Sequence, residues 1–438
     1  MTNDLVRRDF SAYRSGDRLE FFASRCTHDE APTLLGVGIG AYLVNHHDDV
    51  SHLLQTGAQS YEKTRRLTNR RGRRLSGHGI LTSTGAEHRA RRELLTPSFR
   101  ARAAVRDSET TARQASDWAK SLTAGEEVDV AAISLRLAEQ AIFTSIISTL
   151  GPIEVEEMRA AVRVRKEFLN YVYSSPVPYK EHARTAVVLE HRTRIVRFEQ
   201  IVRSEMHRRR VEGITRDDLL GDLLALADGE QDFDDDDVVE EIQMVALTGH
   251  ETVAEALVWT LKLLAEHPEA QDRVAEESIR IGGDLLVEDL ETLKLASAAV
   301  SESLRLFPPT WLYVRRAIRP DKLPSGLFVK RGAKFYICPY LLHRNPRLFP
   351  EPETFSLDRF VDAPRPPRGA YVPFGLGRHA CLGEPYAKLT THLVLGSILR
   401  HVRFVPAGSG GTTIRAGITL MSEPPPMVTV EVREGARP

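Results

Sequence analysis

The chain has 438 residues, 42% of them apolar and 27% charged, the balance of an ordinary globular protein whose length alone would allow two or three domains. A formal charge of -1 argues against a general electrostatic affinity for nucleic acid. Cys26, Cys338 and Cys381 are too few and too irregularly spaced for a disulfide framework or a cysteine-rich zinc site, so a reducing cytoplasm is the default compartment.

The first ten residues, Met-Thr-Asn-Asp-Leu-Val-Arg-Arg-Asp-Phe, hold no apolar leader, and no apolar run in the chain is long enough to span a bilayer. No membrane contact is expected. Residues 33–58 alternate short apolar runs with Gly and Asn, then give Asp48-Asp-Val-Ser-His-Leu-Leu54, which predicts two strands and a helix. From about 85 to 305 the pattern is almost wholly helical, with long helices expected at 100–121, 131–150, 154–171, 183–212 and 237–266. His88 and Arg92, at i and i+4 of one such helix, share a face on which they would clamp a carboxylate; a basic solvated helix would read the same way. The run Asp232-Phe-Asp-Asp-Asp-Asp-Val-Val-Glu-Glu241 suits the positive end of a helix dipole and is expected as a solvated helix start.

Beyond it, Ile242, Val245, Ala246, Val253, Ala256, Leu257, Leu261 and Leu264 keep a helical period over a broad face, so this helix is expected to be buried. Thr248-Gly-His-Glu-Thr252 interrupts that face, and the glycine alone costs about 1 kcal/mol against alanine. A threonine hydroxyl bonding back to a carbonyl one turn earlier can open the helical ladder into a polar notch, although such a tetrad also arises by accident. His250 is expected to pack rather than to bind a ligand. Glu302 and Arg305 stand at i and i+3 before Phe307-Pro-Pro309 ends their helix; on a surface such a pair is worth a few tenths of a kcal/mol. Of 24 prolines, 18 lie from Pro308 onward, among β-like runs such as 327–329, 334–337 and 427–432. With no Gly/Ser linker and no internal repeat, the expectation is one mainly α domain over 1–438, its helical bulk at 85–305 and a smaller β-rich part at 33–46 and 310–438.

The last cysteine sits in Tyr371-Val-Pro-Phe-Gly-Leu-Gly-Arg-His-Ala-Cys381-Leu-Gly-Glu, where a glycine-rich loop runs into a helix marked by Tyr386, Leu389, Leu393, Gly396 and Leu399. Near a helix start the dipole and free N–H groups favour a thiolate, a soft ligand for a transition metal. Gly375, Gly377 and Gly383 remove side chains where a flat ligand would need the backbone close. An inert buried cysteine and a dinucleotide-type glycine loop are the competing readings; the second lacks a preceding strand and a suitably placed acid.

Phe374-Gly-Leu-Gly377-Arg-His379-Ala-Cys381-Leu-Gly383 resembles the haem-binding loop of the cytochrome P450 superfamily, Phe-x-x-Gly-x-x-x-Cys-x-Gly. That resemblance implies the family's fold, haem b (iron protoporphyrin IX), and Cys381 as the axial thiolate with Phe374 beside it. Gly249-His-Glu251-Thr252 is similar to the family's acid–alcohol pair, with Thr248 in place of the commoner alanine and Val253 in place of a frequent threonine; Thr252 would steady the activated oxygen and Glu251 supply protons. Glu302, Arg305 and, later, Arg359 match the structural Glu-x-x-Arg network, while His88, Arg92, Arg315 and His379 match residues that hold the haem propionates. By the family's layout a substrate pocket is expected near 68–84 and 169–184, Met244, Thr248, Thr310-Trp311-Leu312 and Thr419-Leu420-Met421. The implied protein is a cytoplasmic, monomeric monooxygenase of a lipophilic natural product such as a polyketide, terpenoid or macrolide intermediate. It would take electrons from NAD(P)H through a ferredoxin or flavodoxin and its reductase, docking on Arg91, Arg378 and Lys388. Alternatives are a peroxide-using haem-thiolate enzyme, a non-catalytic haem protein and, least favoured, a nicotinamide dehydrogenase.

Overall fold

The computed structural model describes residues 17–27, 31–36, 40–99, 101–174, 185–229, 232–408 and 411–433. The first ten residues read above for a leader, and 175–184 of the expected pocket, lie outside them. The longer helices are α1 (Gly85–Leu95), α2 (Ala101–Ser121), α3 (Val130–Ile146), α4 (Pro152–Ser174), α5 (Ala186–Glu212), α6 (Leu219–Ala227), α7 (Asp235–Glu266), α8 (Pro268–Ile281), α9 (Lys294–Leu306) and α10 (Glu384–Leu399). The mainly α expectation with a smaller β part is met.

The longest, α7, starts at a capping box: the Asp234 carboxylate accepts the Asp237 N–H at 2.9 Å, and the Asp237 carboxylate accepts the Asp234 N–H at 3.2 Å. The acidic run does more than face water. Asp235 pairs with Arg210, Asp236 with Arg203, and Asp237 with Arg91, so α7 is tied to α5 and α1. Along its C-terminal half, Leu257, Leu261 and Leu264 share an apolar cluster with Leu137 of α3, Ala275 of α8, Leu304 of α9 and Leu393 of α10. Its N-terminal half places Ile242 and Ala246 with Ile146 of α3, Val162 of α4 and Phe198 of α5. Full burial of one such leucine or isoleucine is worth roughly 1.5–3 kcal/mol, so α7 is held as the central rod.

The main sheet joins β1 (Thr33–Gly36), β2 (Ala41–Val44), β3 (Tyr61–Lys63), β4 (Tyr313–Ala317) and β5 (Lys334–Ile337) in the order β1-β2-β5-β4-β3. β2 and β5 run parallel; the other neighbours are antiparallel, and Lys63 lies opposite Arg315. Glu127–Asp129, between the helices expected at 100–121 and 131–150, is a strand because Met427–Thr429 comes alongside it. The helix expected at 131–150 stops at Ile146, where the Ser148 N–H and hydroxyl both turn to the Asp218 carboxylate, at 2.8 and 2.7 Å.

Candidate active site

The cysteine loop is pinned from several elements. The Tyr313 hydroxyl donates to the carbonyls of Val372 (3.0 Å) and Pro373 (3.1 Å), His343 Nε2 accepts the Val372 N–H (2.9 Å), and Arg378 donates to the carbonyls of Ala58 (2.6 Å) and Tyr61 (3.0 Å). The Cys381 N–H donates to the Phe374 carbonyl at 2.8 Å and closes the turn. Gly377 has φ of 70°, and a Cβ there would lie 2.4 Å from the Leu54 carbonyl oxygen, so both conformation and space require glycine. Gly383 caps α10, and a Cβ on it would stand 3.8 Å from the Cys381 sulfur. The Lys388 ammonium lies 5.5 Å from the centre of the Phe374 ring.

Cys381 is open to solvent on one side, yet protein crowds the others. Burial pushes its thiol up; the N–H groups of Gly383 and Glu384 and the charge of Arg92 oppose this without reversing it. The helix start thus works against burial at this sulfur, and a cation bound to it would favour the thiolate.

Beside the loop is a group of bases. His379 Nδ1 lies 3.1 Å from His88 Nε2, and Arg92 donates to the Ala380 carbonyl at 2.7 Å. Arg315 is buried, and Lys63 across from it donates to the carbonyls of Ile80 (3.0 Å) and Leu81 (2.8 Å). Burial, then the charges of Arg315 and Arg92, hold Lys63 down at about 7, with Glu241 and Glu87 acting weakly the other way. Burial, then Lys63 and Arg92, hold His88 at about 3; burial and Arg378 bring Arg315 to about 10; His379 is depressed by burial and the same cations. Mutual depression of this kind marks a site short of negative charge.

On α7 the Thr252 hydroxyl donates to the carbonyls of Thr248 (3.0 Å) and Gly249 (3.2 Å), and the Thr248 hydroxyl to that of Met244 (2.8 Å). A Cβ on Gly249 would meet Ile142 Cδ1 of α3 at 3.0 Å. Glu251 Oε1 lies 2.5 Å from Lys166 Nζ and accepts the Thr419 hydroxyl at 2.6 Å. His250 is buried with Nδ1 2.8 Å from the Ala246 carbonyl, a packing arrangement. At the end of α9, Arg305 donates to both Glu302 oxygens at 2.7 and 2.8 Å and to the carbonyls of His343, Pro352 and Thr354; Arg359 reaches Glu302 at 3.2 Å.

The family model for cytochrome P450 matches residues 13–430. The chain belongs to the cytochrome P450 family. It is 30% identical over 411 residues to cyclooctat-9-en-7-ol 5-monooxygenase of Streptomyces melanosporofaciens, covering 90% of this chain and 86% of that protein. It is 29% identical over 405 residues to cyclooctatin synthase of the same organism, covering 91% and 87%. Human cytochrome P450 4V2 is 37% identical over a shorter stretch of 188 residues, 41% of this chain and 35% of the human protein. The protein is accordingly a P450 monooxygenase, of a family defined by haem with a thiolate ligand. No helix among the described residues is long and apolar enough to cross a membrane.

The residues of this cytochrome P450 fit that group. The mutually depressed Lys63, His88, Arg92, Arg315 and His379 would suit the negative charge of its propionates, and the Cys381 thiol beside them would suit its iron. Lys63 was missed in the sequence, since only the pairing of β3 with β4 brings it opposite Arg315. Lys166, which binds Glu251, was missed for the same kind of reason, and Thr419, expected only as pocket lining, also donates to Glu251. Of the residues expected to line a pocket, Met244, Trp311 and Leu420 are all but fully buried, Thr248 is exposed and Leu312 half-buried; Trp311 donates its N–H to the Gly417 carbonyl at 3.1 Å, and the Leu420 carbonyl accepts that of Trp259 at 3.2 Å. Arg91, expected on a docking face, is instead committed to Asp237 and Glu241.

Proposed function

We propose that this P450 inserts one oxygen atom of O2 into a lipophilic natural product of the polyketide, terpenoid or macrolide kind. The observation that carries the site is the meeting of one loop-held thiol with a cluster of bases lacking counter-charge. In this reading Cys381 is the axial ligand, and His88, Arg92, Arg315 and His379, joined by Lys63, hold the propionates. Bound haem supplies the redox chemistry of dioxygen activation, with electrons from NAD(P)H through a ferredoxin or flavodoxin and its reductase.

The protein's own groups handle the protons. The Thr252 hydroxyl gives its hydrogen to the Thr248 carbonyl, so its lone pairs are left to accept a hydrogen bond from an ordered water. Glu251, one residue earlier, is the acid that feeds this point. For the substrate, support comes from one relative's name, which makes cyclooctat-9-en-7-ol its substrate, and from the half-apolar, half-hydroxyl character of Leu312 and Thr248.

Two measurements test the reading. The reduced, carbon-monoxide-treated holoprotein should give the strongly red-shifted Soret band of thiolate-bound haem, and Cys381→Ala should abolish it; an unshifted band in folded wild type refutes the assignment. Compounds that move the resting Soret band from low to high spin should then be hydroxylated with surrogate carriers, and hits turned over only with peroxide would favour the peroxide-using alternative.

A further inference from the structure

Glu255 lies one turn beyond Glu251 on α7, and the proton route above makes no use of it. Its Oε2 is buried without a hydrogen-bond partner, an arrangement costly for a carboxylate and tolerable for a neutral acid. Glu251, four residues earlier and on the same helix face, commits Oε1 to Lys166 and Thr419. One ammonium thus serves two carboxyl groups. The charged groups bearing on Glu255 are Glu251 from its own helix, Lys166 from α4 and Arg415 from the strand Thr413–Ala416. Arg415 is half exposed and paired with Glu423 at 3.0 Å, which leaves Lys166 as the main counter-ion. Burial and then the Glu251 carboxylate push Glu255 up to about 8, the two cations offsetting only part of this.

We propose that Glu251 and Glu255 form one acid pair holding a single proton beside Lys166, with Glu255 as the reserve-proton residue for the oxygen side of the pocket. Glu251, held by Lys166 and Thr419, takes its proton from Glu255, directly or through water. In that step the O–H bond of Glu255 breaks, the O–H bond of Glu251 forms, and the charge of the pair is unchanged; solvent then reprotonates Glu255. The relay rests on the role given to Glu251 above, whereas the shared proton does not.

The pair is tested by infrared difference spectroscopy of the holoprotein across a pH titration. Wild type should show a neutral carboxyl C=O band that is lost near pH 8. Glu255→Gln should lack it, Glu251→Gln should shift its loss to lower pH by removing a like charge, and Lys166→Met should shift it to higher pH. No titrating band in wild type, or the same band in folded Glu255→Gln, overturns the pair. With a spin-shifting compound and surrogate carriers, Glu255→Gln should raise the solvent deuterium isotope effect on product formation while leaving the binding titration unchanged; a wild-type isotope effect overturns the relay. If Glu251→Gln keeps full coupling of NAD(P)H to product, the proposed proton route fails, and the infrared titration still decides whether the pair exists.

Discussion

In the proposed site Thr252 and Lys63 have different roles, and single substitutions separate them. Thr252→Ala removes the hydroxyl lone pairs but no core contact, so haem content and the carbon-monoxide spectrum should be unchanged. Product formation should fall roughly 10- to 100-fold while NAD(P)H consumption continues into peroxide, and a fully coupled variant would remove Thr252 from the route. Lys63 acts through charge. In the protein without haem its pKa is held at about 7, below the usual 10.5, so between those values the unfolded chain binds more protons and stability rises with pH. Two propionates reverse that preference by raising the bound-state pKa. Haem affinity should therefore fall as pH climbs above about 7, and Lys63→Met should both speed haem loss to a scavenging protein and flatten this pH dependence.

At the scale of elements, α9 and the cysteine loop depend on a network that is invisible as a pair. Glu302 and Arg305 are fully buried, and Glu302 also accepts the Ser356 N–H at 3.1 Å and Arg359. Glu302→Ala leaves Arg305 charged and buried, a change that costs about 3–5 kcal/mol, and denaturant unfolding of the holoprotein should show it together with lowered haem content. A loss below 1 kcal/mol would reduce the network to an ordinary surface pair. What could be read in the chain follows the same divide between local and distant. The rod α7 was legible because its period and its acidic cap are local, and the cysteine loop because its glycines answer to backbone geometry. The strand Glu127–Asp129, Lys63 opposite Arg315 and Lys166 on Glu251 were not, because each is defined by a partner between about 85 and 300 positions away.

For the whole molecule the question is where an acidic electron carrier would meet it. Of the three basic residues expected on that face, Arg378 is turned to the carbonyls of Ala58 and Tyr61, and Arg91 is locked to Asp237 and Glu241; Lys388 remains exposed, in a solvent-facing pair with Glu384 at 2.6 Å. Lys388→Glu should slow reduction by a ferredoxin several-fold at low ionic strength, with the difference fading as salt shortens the screening length to about 10 Å at 0.1 M. Arg91 should behave otherwise. The Glu241 side chain is 1% exposed, and burial already raises its pKa against the pull of Arg91 and the Ile80 N–H. In Arg91→Ala that carboxyl rises further, so the folded state binds more protons than the unfolded one above the ordinary carboxylate range. Stability should then fall as pH rises through that interval, measured by chemical denaturation, while the reduction rate of the folded fraction stays at the wild-type value. A reduction rate that drops in Arg91→Ala without any loss of stability would return this arginine to the docking face.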